Sequence, residues 1–258
     1  MSLTKLIVKL AVPLPKIEDY QRYLFIGPHP DDIEIGAGAT AAKLAELGKS
    51  VCFAVYADGR FGDEFVDNSI SSDELVYIRQ KEAISSADVL GVEDVRFLGF
   101  SDGGLYDKDE LYKAVLKLIS DFKPDIVFAP DPCVTSECHA DHLNVGECVR
   151  RAACFAPYAG IMHAQGLEKA QVKALAYYMT AKANSFVKIS NKQFEKQLSS
   201  IFDCHTSQFP KYGEAAKAIR LYLRVRSFDY GLRCFSSHGE AFRVLGATHM
   251  HCLPEAGD

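Results

Sequence analysis

Short apolar runs that alternate with longer amphipathic stretches constrain this 258-residue chain more than any other feature. Residues 23–26, 51–56, 95–98 and 126–129 are each a brief, nearly continuous apolar segment, the pattern of a strand covered on both faces. Helical patterns lie between them: residues 36–47, stopped by Gly48; residues 73–90, stopped by Gly91; and residues 111–122, with Leu111, Val115, Leu118 and Ile119 every three or four positions. Strand and helix in alternation imply an α/β fold with a doubly wound, mostly parallel sheet, right-handed crossovers and helices on both faces.

Beyond residue 156 the pattern loosens. Residues 174–179 and 185–189 read as two strands around a polar turn, residues 191–202 as a helix capped at Ser190 or Asn191, and residues 213–235 as a long helix bent near Gly231. With no repeat or linker, residues 1–258 read as a single domain, its core in 1–155 and a carboxyl-terminal elaboration in 156–258. The apolar run in residues 6–12 is interrupted by Lys9 and is too short to span a membrane; residues 1–15 read as an ordered leader packed on the body.

Composition excludes some partners. A net charge of -5 gives no basic footprint for nucleic acid. Eight cysteines without a Cys-x-x-Cys pair fit reduced thiols in a cytoplasmic protein, the role of Cys133 and Cys138 being open.

Two loops carry the chemistry. The first strand runs into Gly27-Pro28, then His29, Asp31 and Asp32, before a helix rich in small residues. The fourth runs into a polar loop bearing His139, Asp141 and His142 before residues 145–155, again helical. Loops at the carboxyl ends of strands in a doubly wound sheet meet in one crevice. Three imidazoles and three carboxylates exceed what turn chemistry needs, and two histidines with one carboxylate are a usual catalytic zinc set that leaves a position open for water. Spacing alone does not choose between Asp31 and Asp32 as ligand. No Gly-x-Gly-x-x-Gly follows the first strand, which disfavours a dinucleotide enzyme.

Pro28-His-Pro-Asp-Asp32 followed by Glu34-x-Gly36, with His139-x-Asp141-His142 after a later strand, resembles the zinc-dependent N-acetylglucosamine deacetylase family called LmbE-like or PIG-L. Arg79-x-x-Glu82-Ala83, Ser207-Gln208-Phe209 and Gly239-Glu-Ala-Phe242 extend the resemblance from about Leu24 to Phe242. It implies a Rossmann-like fold and removal of an N-acetyl group from a chito-oligosaccharide or glucosaminyl conjugate, a small amino-sugar substrate, with Zn2+ as cofactor. It also implies His29, Asp32 and His142 as metal ligands and Asp31 as general base. His139 would be the electrophilic or acid partner, oriented and kept charged by Asp141. Arg79 resembles an arginine near the family's substrate, and Arg60 could reach the sugar from its loop. Members of the family often assemble, so a homo-oligomer, with a lid from a neighbouring chain, is compatible. Two other readings are an amidase of the same family cleaving a larger thiol-conjugate amide, and a non-catalytic metal-containing sugar-binding module.

Overall fold

The structure is a computed structural model that describes residues 3–211, 213–251 and 253. In chain order its main elements are α1 (Leu3–Ala11), β1 (Arg22–Gly27), α2 (Asp32–Glu46), β2 (Ser50–Ala57), α3 (Ser72–Leu90), β3 (Asp94–Phe100), α4 (Lys108–Phe122) and β4 (Ile126–Pro130). These are followed by α5 (Ala140–Phe155), α6 (Ala159–Ala164), β5 (Ala174–Tyr178), β6 (Ser185–Ile189), α7 (Asn191–Ser199), α8 (Glu214–Cys234) and β7 (His238–Gly246). One seven-stranded sheet has the order β3-β2-β1-β4-β5-β7-β6, parallel from β3 to β5 and antiparallel at β7 and β6. The α/β sheet expected from the apolar runs is present.

The continuous apolar runs serve two cores at once. Tyr23, Phe25, Phe53 and Phe128 point to the side covered by α2, α3, α7 and α8, where the rings of Phe25 and Phe128 stack at 4.2 Å. Leu24, Ile26, Cys52 and Val127 point to the opposite side, under α4 and α5. Because β1 connects to β2 on one side while β4 returns on the other, the chain reverses direction between β1 and β4. Loops at such a reversal are splayed apart and leave a crevice.

The carboxyl-terminal part departs from the sequence reading. Strands β5 and β6 are both formed, yet they do not pair with each other: β7 lies between them, antiparallel to both. The polar residues between β5 and β6 therefore bridge a strand position, and no local signal marks the strand inserted there from the far end of the chain. Ser190 caps α7 through a reciprocal bond with Gln193, as expected, but the regular helix ends at Ser199 and a wider turn, Ser200–Cys204, follows. Helix α8 runs through Gly231, whose missing side chain admits the backbone of His238. The leader is helical but does not bury its apolar face: Leu3, Leu6, Ile7 and Leu10 are exposed, while His249 Nε2 contacts the Val12 carbonyl at 3.1 Å. Residues 1 and 2 of that leader lie outside the described residues, as does Cys252; the described cysteines are all unpaired.

Helix α2 sits close to the sheet because its facing residues are small. A Cβ on Gly36 would fall inside the ring of Tyr178, whose hydroxyl donates to the Ile26 carbonyl at 2.8 Å, one residue from the end of β1. Gly36→Ala is therefore expected to cost about 1–3 kcal/mol through overpacking. The midpoint of denaturant unfolding measures it, and an unchanged midpoint would contradict this packing.

Candidate active site

Both polar loops open at the β1–β4 reversal. Strand β1 delivers residues 28–31 and α2 begins at Asp32; strand β4 delivers residues 131–139 and α5 begins at Ala140. The second loop is pinned by Asp131, which accepts hydrogen bonds from Thr180 Oγ1 and, at 3.0 Å, from the Cys133 amide.

Asp32 joins the two loops. Its Oδ2 lies 3.1 Å from His29 Nδ1 and 3.3 Å from His142 Nε2, and it accepts the His29 amide at 2.9 Å. Donors about 2.0–2.1 Å from one tetrahedral ion stand roughly 3.3 Å from each other, so this spacing fits a single metal. The other ring nitrogens face carboxylates: His29 Nε2 lies 2.9 Å from Asp141 Oδ2, and His142 Nδ1 lies 3.1 Å from Glu137 Oε2. A carboxylate behind each imidazole fixes the ring and its tautomer and makes the inner nitrogen a better donor, the usual backing of a metal histidine.

The electrostatics agree with that fit. Burial opposes charge on His29, but its bonds to Asp141 and Asp32 outweigh it and lift the pKa to about 10. Burial likewise works to raise Asp32, but the two histidines hold it well below the usual carboxylate range. A site that holds a proton so firmly between carboxylates is one where a divalent cation can take the proton's place. His29, Asp32 and His142 form a group able to hold a metal ion.

Asp31 stands beside this group in an uncommon backbone conformation, with φ 130°. Arg79, 3% exposed on α3, holds the segment there: it donates to the carbonyls of Gly59 and Pro30 and lies 3.4 Å from Asp31 Oδ2. Burial outweighs the pull of Arg79 and lifts the Asp31 pKa to about 6.

Three placements differ from the sequence expectations. Asp141 is fully buried, accepts the amides of Gly103 and Gly104 at 2.8 Å, and faces His29 at 2.9 Å while standing 3.8 Å from His139. The reason is local: His139 caps α5, and its Nδ1 accepts the backbone amide of Asp141 at 3.3 Å. The pKa of His139 is accordingly lowered, first by burial and then by the neighbouring imidazoles, so Asp141 does not keep it charged. Arg60 turns back onto Asp58, with Nη2 to Oδ2 at 2.7 Å, and does not line the cleft.

The cleft, about 360 Å³, is lined by His29, Asp31, Arg79 and His139 together with Phe61, Asp102 and Gln208. Asp102 was not singled out in the sequence. One of its oxygens accepts the Phe61 amide at 3.1 Å; the other is buried without a partner. Its signal was architectural, since Asp102 follows β3 at the same edge of the sheet as the two polar loops. Glu137, two residues before His139, was passed over in the same way. Cys133 and Cys138 are exposed and join neither metal-compatible group.

Fold and site together define an α/β protein with a carboxylate-backed His–Asp–His metal-compatible centre next to a buried acid. The family model for GlcNAc-PI de-N-acetylase (PIG-L) matches residues 24–153, and the chain belongs to that family. A diacetylchitobiose deacetylase of Thermococcus kodakarensis is 33% identical over 257 residues, covering 98% of this chain and 93% of the relative. The solved N,N'-diacetylchitobiose deacetylase of Pyrococcus horikoshii, complexed with its inhibitor MPG, superposes with a TM-score of 0.86 at 31% identity, covering 98% of this chain and 97% of that one. A 1D-myo-inositol 2-acetamido-2-deoxy-alpha-D-glucopyranoside deacetylase of Kineococcus radiotolerans is 28% identical over 188 residues, covering 62% of this chain and 52% of the relative.

The strain at Asp31 has a measurable sign. Asp31→Gly and Asp31→Ala both remove the carboxylate, but only glycine tolerates this φ, so the glycine variant is expected to be the more stable by about 1 kcal/mol. Equal denaturant midpoints for the two variants would show that the backbone at Asp31 is unstrained.

Proposed function

We propose that this protein hydrolyses the N-acetyl group of an N-acetylglucosamine-containing saccharide of the diacetylchitobiose kind, with zinc held by His29, Asp32 and His142. The supporting observation is the convergence of Asp31, His139 and the unpartnered Asp102 oxygen on one cleft beside the metal-compatible group. Zinc bound there would supply Lewis acidity and a water of lowered pKa, near 7.

The protein's own groups supply the remaining chemistry. With a pKa of about 6, Asp31 is ionised at neutral pH yet basic enough to receive the proton of the attacking water. Arg79 keeps its carboxylate aimed into the cleft. His139 Nδ1 accepts a backbone amide, so the neutral ring carries its proton on Nε2 and can donate to the oxygen of the tetrahedral intermediate. When the C–N bond breaks, Asp31 returns its proton to the departing amine, leaving acetate and the free amino sugar. The free oxygen of Asp102 suits a sugar hydroxyl, which would satisfy an acceptor that is otherwise buried unpaired.

We read residues 1–258 as one deacetylase domain. Among the described residues no helix is long and apolar enough to cross a membrane, and unpaired thiols suit the cytoplasm, where we place the protein.

Acetate release from a panel of N-acetylated sugars tests the reading. The wild type is expected to deacetylate N-acetylglucosamine disaccharides, to lose activity to a chelator and to regain it with zinc. Asp31→Asn is expected to keep the metal and lose about 10²–10⁴-fold in kcat/KM. No acetate from any sugar would contradict the proposal, and full activity in Asp31→Asn would remove Asp31 as the base.

A further inference from the structure

Helix α8 has two apolar faces. One is internal: Leu223, Ser227, Gly231 and Cys234 are buried against β6 and β7. The other lies about 140° around the helix, at 100° per residue, and consists of Leu221, Val225, Phe228 and Leu232. These four are 64%, 61%, 59% and 61% exposed. Phe235, at the helix end, is 92% exposed, and Tyr222 flanks the row at 55%. Steps of four, three, four and three residues from Leu221 to Phe235 are the spacing of a helix seam, not of scattered surface residues. A helix apolar on opposite sides is one that is covered on both.

We infer that this second face of α8 is where two copies of the chain associate, antiparallel, about a two-fold axis at Phe228. Area favours a protein of this size as the occupant. The six side chains expose on the order of 700 Å², above the roughly 300–600 Å² of the largest patch on a typical monomer and near the ~800 Å² per partner of a stable interface. Self-complementarity favours the same chain. With Phe228 meeting the partner's Phe228, Leu221 falls level with the partner's Phe235, and Val225 lies within one residue of the partner's Leu232, about 1.5 Å along the axis, so the apolar side chains of the two rows meet each other. The flanking charges are compatible with this register. Arg224 is level with the partner's Leu232, about 12 Å along the axis from the partner's Arg224, and like charges at that distance are largely screened. Asp229, already 3.0 Å from Arg233, comes level with the partner's Ser227, next to the partner's Arg226. The face is isologous, as the interface of a two-fold dimer must be.

Sedimentation velocity of the full chain at tens of micromolar tests the association, and a crosslink tests the register. The wild type is expected to sediment as an even multiple of its 28.5 kDa mass. Val225→Lys combined with Leu232→Lys, which sets like charges against each other across the two-fold axis, is expected to halve that mass or reduce it to the monomer while the far-UV circular dichroism stays native, since both positions are exposed. In a background with the exposed Cys133 and Cys138 changed to serine, a short bis-maleimide is expected to join Phe228→Cys into a covalent dimer absent from that background alone, but not Leu221→Cys, whose two copies would stand about 21 Å apart along the axis. A wild type that is monomeric at these concentrations would overturn the inference, including one that instead binds lipid vesicles. So would an assembly that survives the double substitution, or a crosslink at position 221 and none at 228.

Discussion

The bond pattern of Asp32 across the β1–β4 seam is the constraint on which the site depends. One carboxylate oxygen reaches His29 on the loop before α2 and His142 in the first turn of α5, so each loop–helix junction is fixed by the other. The sheet order makes this possible, because only strands on either side of a reversal present their loops to the same crevice. The small-residue face of α2, with Gly36 against Tyr178, brings the helix that begins at Asp32 down onto the sheet. The seam also explains the density of buried charge. Asp32, Asp141 and Arg79 are nearly or fully withdrawn from water, and each is held by charged or polar neighbours. Breaking one such buried pair typically costs about 3–5 kcal/mol, which makes the arrangement rigid as well as reactive.

Around that seam the carboxylates divide their roles by environment. Asp141 lies far below the usual carboxylate range: burial works to raise it, but His29 and the amides of the 103–104 turn outweigh that effect, so it is a fixed anion that aims a histidine. Asp31, a few residues from His29, is lifted to about 6 and is free to exchange a proton. Asp102 keeps one oxygen without a partner at the cleft wall. Behind the site, Glu34 accepts from Ser86 and lies 3.3 Å from the buried His205, tying α2, α3 and the turn before α8 into one support. His205 is wholly buried.

Much of this was legible in the sequence, for identifiable reasons. Buried parallel strands cannot alternate polar and apolar residues, so residues 23–26, 51–56 and 126–129 announced themselves, and the histidines and aspartates that followed them marked the crevice. Partnership within the crevice was not legible. Whether Asp141 served His139 or His29 depended on His139 becoming the cap of α5, a detail of dihedral angles and not of spacing. Arg60 looked free to reach a sugar because nothing in the sequence says that it folds back on Asp58. The pairing of β7 between β5 and β6 was hidden because it joins residues about fifty to seventy positions apart. The exposed row on α8 was present as letters all along, but an apolar residue in a sequence does not say which side of a helix is already covered.

The central claim is that His29, Asp32 and His142 bind one metal ion, with Asp141 and Glu137 behind the two histidines. Anomalous diffraction at the zinc edge from crystals of the zinc-loaded protein tests it most directly. One strong peak is expected, about 2.0–2.1 Å from His29 Nδ1, an Asp32 oxygen and His142 Nε2, with His29 Nε2 still on Asp141. A peak coordinated instead by His139 and Asp141, or no peak at the β1–β4 seam, would contradict it.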